Sequence, residues 1–414
     1  MLAAVASAAL IVGGSLASGQ AILALCGRRS TLLAGPIGFA VLLTAAGIVA
    51  GWGGRGTAIA ITLIVIAAAA AVVLATVGSA PRGRRPQRGS RLFAPAAAAL
   101  LAVLAAAVPF IAAGHMGILG VGLVNDDMAN HLLLSDWISE RFRPEPVLID
   151  QGYPLGPHAL VAGLASLLNA SSIDVFAGLV LAIPALTALV AYGALESVRP
   201  VLRVLASAAV ALPYLAAAYL AQEAFKEPII ALFVLAFALL LTRVRDWRSA
   251  IPLGLLAAGV TYVYSFPGLA WLAGTAIVYG AFELVRARRG GTGAARKRGT
   301  SSRAPLVAAG VVLLTLVVLM LPEVGRLLDF VDFRALHPDR ANQGGLGNLP
   351  GQLSPLEALG IWPTSEFRLS ATASSVPAVL FYAGGLFALV CLALGLPRWI
   401  RRNGTAIASA FAEV

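Results

Sequence analysis

Two adjacent carboxylates, Asp126 and Asp127, precede an imidazole, His131, within the segment 125–145, NDDMANHLLLSDWISERFRPE. A carboxylate held near a hydroxyl can take its proton as the oxygen attacks an electrophile, and an imidazole beside it can move or hold a proton. Asp127 and His131 stand at i and i+4 and share one helical face, with Ser135 next along it. That pair could also hold a divalent cation. Two ligands fall short of a complete metal set, so the metal stays an open alternative. A purely structural role is open too, with Asp126 as N-cap, Asp127 at the positive end of the helix dipole and His131 in solvent.

Two further groups belong with these. The turn Tyr153-Pro154-Leu155-Gly156-Pro157-His158 offers a phenol and a second imidazole on a chain stiffened by proline. The segment 219–228, YLAQEAFKEP, interrupts two apolar stretches with Gln222, Glu223, Lys226 and Glu227. Charges at that place need partners or water, and a Glu223–Lys226 ion pair would satisfy the requirement without any function.

The elements that position these residues are apolar. Of 414 residues 59% are hydrophobic and 12% charged, and the mean hydropathy is +0.88; a soluble domain carries about 25% charged residues. Apolar runs fall at about 2–25, 31–51, 57–78, 93–113, 174–195, 204–220, 228–242, 250–265, 267–285, 304–322 and 375–396. A helix of about 20 residues crosses the hydrocarbon core, and lipid obliges the backbone to satisfy itself, so the expected fold is an all-α polytopic bundle of about 11 spans. The helix opened by Asn125 and Asp126 should run to about Arg143, where Pro144 stops it. Leu132, Leu133, Trp137 and Ile138 should form an apolar side resting on the membrane interface.

The basic clusters set the orientation. Arg28-Arg29, Arg82 to Arg91, Arg199 with Arg203, Arg243 to Arg248, Arg286 to Arg303 and Arg398 to Arg402 all fall on one side when the spans are counted. Lys and Arg concentrate on cytoplasmic loops, so that side is read as the cytoplasm, with the N-terminus outside and the C-terminus inside. On this reading 22 of the 30 basic residues are inside and 15 of the 19 acidic residues outside, and all four histidines lie in outer loops. The net charge of +11 is then a topology signal and not a nucleic-acid patch.

This reading requires that 157–170 not span. Fourteen residues rise only about 21 Å as a helix, so the segment is expected to lie at the outer interface. Two cysteines, Cys26 and Cys391, give neither a disulfide framework nor metal-ligand spacing. The richness in Ala, Gly and Leu, with Arg favoured over Lys, matches a GC-rich bacterial genome.

The order of these pieces resembles the GT-C superfamily of integral-membrane glycosyltransferases. That superfamily includes oligosaccharyltransferase catalytic subunits, protein mannosyltransferases and actinobacterial cell-wall arabinosyl- and mannosyltransferases. The resemblance covers about 93–300 and rests on the acidic pair Asp126-Asp127 after a membrane helix, an amphipathic helix, the Tyr153 to His158 turn and the acidic motif at Glu223 and Glu227 one hairpin later. It implies a sugar donor on polyprenyl phosphate and an envelope glycan, lipid or protein acceptor at the outer face of the bacterial inner membrane. It also implies that Asp126 or Asp127 is the general base, that Lys226, His131 or His158 meets the phosphate, and that Tyr153, Gln222, Glu223 and Glu227 line the pocket.

The implied organisation is N-terminal membrane helices at 1–92, a GT-C-like core at 93–285 with outer loop 114–173, a basic linker at 286–303, and C-terminal helices at 304–414 with outer loop 323–374. A long outer C-terminal domain, frequent in the superfamily, has no counterpart in 323–374. The competing expectation is a transporter or flippase for a lipid-linked envelope intermediate. It would require charged or broken-helix sites near mid-membrane, whereas the charges here gather at the loops.

Overall fold

A computed structural model describes residues 1–28, 30–77, 90–113, 127–213, 216, 220, 224–289, 304–333 and scattered positions between 379 and 395. Every regular element among the described residues is helical. In chain order these are α1 (Leu2–Leu25), α2 (Ala34–Gly51), α3 (Gly56–Thr76), α4 (Ser90–Ala113), α5 (Asp127–Glu140), α6 (Val147–Asp150), α7 (Gly156–Leu168), α8 (Ser172–Ala194), α9 (Pro200–Ala211), α10 (Lys226–Leu241), α11 (Ile251–Tyr264), α12 (Leu269–Arg289), α13 (Ala304–Met320) and α14 (Val324–Val331). Short 3-10 turns lead into α11, α12 and α14.

Six helical stretches are long and apolar enough to cross a membrane: Leu2–Leu25, Ala34–Gly51, Gly56–Thr76, Ser172–Ala194, Phe266–Val285 and Pro305–Val331. Their outer surfaces agree with a lipid solvent. Ile61, Ile64 and Val65 of α3, Trp271 and Ile277 of α12, and Leu313, Leu314 and Val317 of α13 are all exposed. Apolar area on that scale is costly in water and matched to hydrocarbon. The chain is a multi-pass membrane protein. The expected span 204–220 differs from its sequence reading, because α9 stops at Ala211 ahead of Pro213. The span expected at 375–396 lies largely outside the described residues.

The centre of the bundle is α8 with α2, both buried over most of their length. α1 packs on both, α4 packs on α8 and α9, and α11 lies between α2 and α13. In lipid, apolar surface gives helices little reason to associate, and small residues that admit close backbone approach supply the packing instead. Gly19 faces Ala34 so closely that a Cβ would lie 1.8 Å from the Ala34 carbonyl oxygen, and a Cβ on Gly178 would lie 1.8 Å from Ser7 Oγ.

Contacts between loops sort them into two ends. At one, the Met1 ammonium pairs with Asp174 at 3.0 Å, and Arg141 Nη2 donates to the carbonyls of Ala50 at 2.7 Å and Gly54 at 2.9 Å. At the other, Arg28 pairs with Asp246 at 2.8 Å, Arg243 reaches Thr31 Oγ1 at 3.4 Å, and Gly193 backs on Leu32. Three of the basic clusters thus meet at one end.

The segment 157–170 enters and leaves by the other end. Ser172, just after α7, donates to Asp136, before it, at 2.6 Å. Helix α7 does not lie on a surface, however. Residues from Gly156 to Ala165 are buried, wedged among α2, α3, α5 and α8. Its start is the deeper end: a Cβ on Gly156 would sit 3.2 Å from the Leu43 carbonyl oxygen, halfway along α2, while Ser166 faces Gly56 at the head of α3. An interfacial helix needs a polar face, and 156–168 offers only His158 and Ser166. A helix apolar all round belongs inside. Pro157 opens it, and Asn169 closes it in the left-handed conformation, φ +48°.

Candidate functional site

Helix α5 turns its polar strip inward. Met128, His131, Leu134, Ser135 and Ile138 are buried against α7, whereas Leu133 is exposed. The expected apolar side at Leu132, Leu133, Trp137 and Ile138 is therefore divided between core and surface. His131 is only 1% exposed, which rules out a solvated ring. The physical reason is a partner: His131 Nδ1 lies 2.9 Å from Nε2 of His158, itself fully buried at the start of α7. Helix α5 ends at Glu140, short of the expected Arg143, with Arg141 at φ +56°. Arg141 closes α2 from there by donating to the carbonyls at its C-terminus, and its guanidinium lies 4.1 Å from the centre of the Trp137 ring. Burial pulls the Arg141 pKa below its ordinary value, Glu145 opposing.

The two rings sit in an aromatic pocket. Phe225 lies 4.8 Å from His131 and 5.8 Å from His158, Phe176 lies 5.3 Å from Phe225, and Tyr153 lies within about 6 Å of both imidazoles. Lys226, the first residue of α10, donates to the Tyr153 hydroxyl, its ammonium 4.7 Å from the ring centre. The Tyr153 N–H donates to the Leu148 carbonyl at 3.0 Å, and Arg326 donates to the Tyr153 carbonyl. Neighbouring Glu227 is half-buried, with Oε2 lacking a hydrogen-bond partner among the described residues.

Of the residues singled out from the sequence, His131, Tyr153, His158 and Lys226 come together at the end of the bundle that also holds Met1 and Asp174. Asp127 is the first residue of α5, on the helix that carries His131. Asp126, Gln222 and Glu223 lie outside the described residues, as does any Glu223–Lys226 pair. No group of three or more His, Cys, Asp or Glu side chains is placed to hold a metal ion among the described residues.

Sequence reasoning passed over the aromatic walls Phe176, Phe225 and Phe333 and gave Glu323 no part, while Arg326 figured only as a residue of the outer loop 323–374 that could close over an acceptor. Phe333 lies 5.8 Å from Tyr153 and stacks on Phe330 at 4.8 Å. Glu323 and Arg326 are both largely buried, an ion pair at 3.2 Å without hydrogen-bond geometry. Their i, i+3 spacing directly after an apolar run was the available signal, since such charges persist there only when paired.

Comparison with known proteins finds no match among protein-family models, curated proteins or solved structures.

Proposed function

We propose that the chain is a glycosyltransferase of the bacterial inner membrane that moves a sugar from a polyprenyl-phosphate donor to an envelope glycan, lipid or protein acceptor on the outer face. In this reading the N-terminus is outside and the basic end is cytoplasmic, following the charge asymmetry of the loops. The observation that carries the proposal is the meeting of Lys226, Tyr153, His131 and His158 at one end of the bundle, with His131 on the same helix as Asp127.

The chemistry follows from these groups. The acceptor hydroxyl gives its proton to a carboxylate, Asp126 or Asp127, as its oxygen forms a bond to the anomeric carbon. The bond from that carbon to the phosphate oxygen breaks, and the electron pair leaves with polyprenyl phosphate. Positive charge on the sugar ring in an oxocarbenium-like transition state is favoured by nearby carboxylates. The ammonium of Lys226, held beside the Tyr153 hydroxyl, offsets charge growing on the departing phosphate. Aromatic walls around the imidazoles lower the local dielectric and strengthen each of these interactions.

The test is transfer by protein reconstituted in liposomes with radiolabelled polyprenyl-phosphate sugars and envelope acceptors. Transfer by the wild type that is lost in Asp126→Asn or Asp127→Asn, and falls in Lys226→Ala, supports the reading. Undiminished transfer by both Asn variants removes the base assignment. Absence of transfer with every donor, together with movement of the lipid-linked sugar across the bilayer, favours the transporter.

A further inference from the structure

The charged pair at the start of α14, Glu323 as its N-cap and Arg326 in its first turn, reaches the candidate site through one backbone carbonyl. Arg326 pairs with Glu323 through Nε, and its Nη2 donates to the oxygen of Tyr153. The backbones are in contact as well. Gly152 has φ +67°, and a Cβ there would lie 2.1 Å from the Arg326 carbonyl oxygen and 2.7 Å from the Phe330 amide nitrogen. The turn is therefore seated directly on α14 at a place that only glycine can occupy.

Tyr153 is fixed at every polar atom. Its N–H goes to Leu148, its carbonyl takes Arg326, and its hydroxyl takes Lys226. Because Pro154 follows, the Tyr153 backbone is confined to extended conformations, so holding its carbonyl fixes the peptide plane and the direction of the side chain. We propose that the Glu323–Arg326 pair is a strut that sets the Tyr153 phenol, and through it the Lys226 ammonium, for an anionic ligand. Arg326 and Glu323 are positioning residues. They touch neither donor nor acceptor, and the role of the anion as a lipid phosphate rests on the function proposed above. Glu323 holds the guanidinium in place, backed by Gly51, where a Cβ would stand 3.1 Å from Glu323 Oε1. Lysine could replace the charge of Arg326 but not its fork, which serves Glu323 and Tyr153 together.

The experiment places 3-fluorotyrosine at position 153 of the full chain in lipid nanodiscs and records its fluorine NMR signal with and without a polyprenyl phosphate. Arg326→Gln and Arg326→Lys should each shift or split the signal without ligand, with Glu323→Gln shifting it in the same direction. Leu186→Ala, a buried change in α8 that lowers stability, should leave it in place, as should Leu328→Ala on the exposed side of α14. A signal unmoved by both Arg326 substitutions overturns the strut, and so does a Leu186→Ala shift as large as that of Arg326→Gln. If Arg326→Gln does not fold, the Lys variant alone decides. Should the Arg326 variants move the signal while polyprenyl phosphate leaves the wild-type signal untouched, the strut stands and the donor assignment falls.

Discussion

His131 Nδ1 and His158 Nε2 lie 2.9 Å apart in the interior of the bundle, so one ring donates a proton and the other accepts it. This bond joins α5 to the head of α7. Replacing either ring removes this buried hydrogen bond from the other, at a cost of about 1–3 kcal/mol. His131→Ala and His158→Ala should each lower the thermal midpoint in detergent. The double variant should lose less than the two losses added, which a double-mutant cycle measures.

The close approach of α1 and α2 predicts a contrast between two glycines of one helix. Gly19→Leu must push α1 away from the Ala34 backbone, and overpacking of this kind costs about 1–3 kcal/mol. Gly13→Ala meets nothing within 4 Å and gains helix propensity, so its midpoint should hold or rise slightly. Thermal unfolding of the two variants side by side checks the pair.

Arg141 satisfies two carbonyls at the end of α2 and stacks on Trp137. Its removal in Arg141→Ala should cost about 1.5–3 kcal/mol, the range for hydrogen bonds made by a charged group. Arg141→Lys should recover only part, because one ammonium cannot reproduce a planar fork. Denaturant unfolding of both variants measures the difference.

At the basic end, Asp246 accepts the Ser249 N–H at 2.9 Å and pairs with Arg28 at 2.8 Å. Chiefly the Ser249 backbone hydrogen bond, with help from Arg28, holds its carboxyl below the usual carboxylate range. A depressed folded-state pKa contributes stability that is full above the ordinary carboxylate value and lost as the pH falls through the lowered one. Wild type should therefore exceed Asp246→Asn in thermal midpoint at neutral pH, and the two should converge in acid. The site is more than half exposed, so the gap should be small and shrink in salt.

Much of this architecture was legible in the sequence. Long apolar runs are sufficient to mark helices such as α1, α3 and α8, because lipid leaves the backbone no other solution. The need to keep 157–170 from spanning followed from its length and from the basic loops beyond it. What could not be read was where α7 would go. Its length excluded a span, while the near absence of a polar face, which argues for burial, shows only when 156–168 is read as a helix, and the place of that burial depends on the hole left by α2, α3 and α8. The inward turn of His131 depended on His158, a residue 27 positions away. Likewise, the seat of Tyr153 on Arg326 bridges 173 positions and leaves no local pattern.

The sorting of loops predicts opposite labelling by a membrane-impermeant maleimide. In a background with Cys26 and Cys391 replaced, a cysteine at Glu145 and one at Asp246 should react from opposite faces of sealed vesicles. Labelling of both from one face would mean that α7 carries the chain across and would separate the two halves of the candidate site.

The most direct measurement is photolabelling of the reconstituted protein with a photoreactive polyprenyl phosphate, followed by peptide mapping. A label is expected on the segments around Tyr153 to His158 and Lys226, displaced by unlabelled polyprenyl phosphate and lost in Lys226→Ala. Labelling confined to the exposed apolar faces of α3, α12 and α13, unchanged in Lys226→Ala, would contradict it.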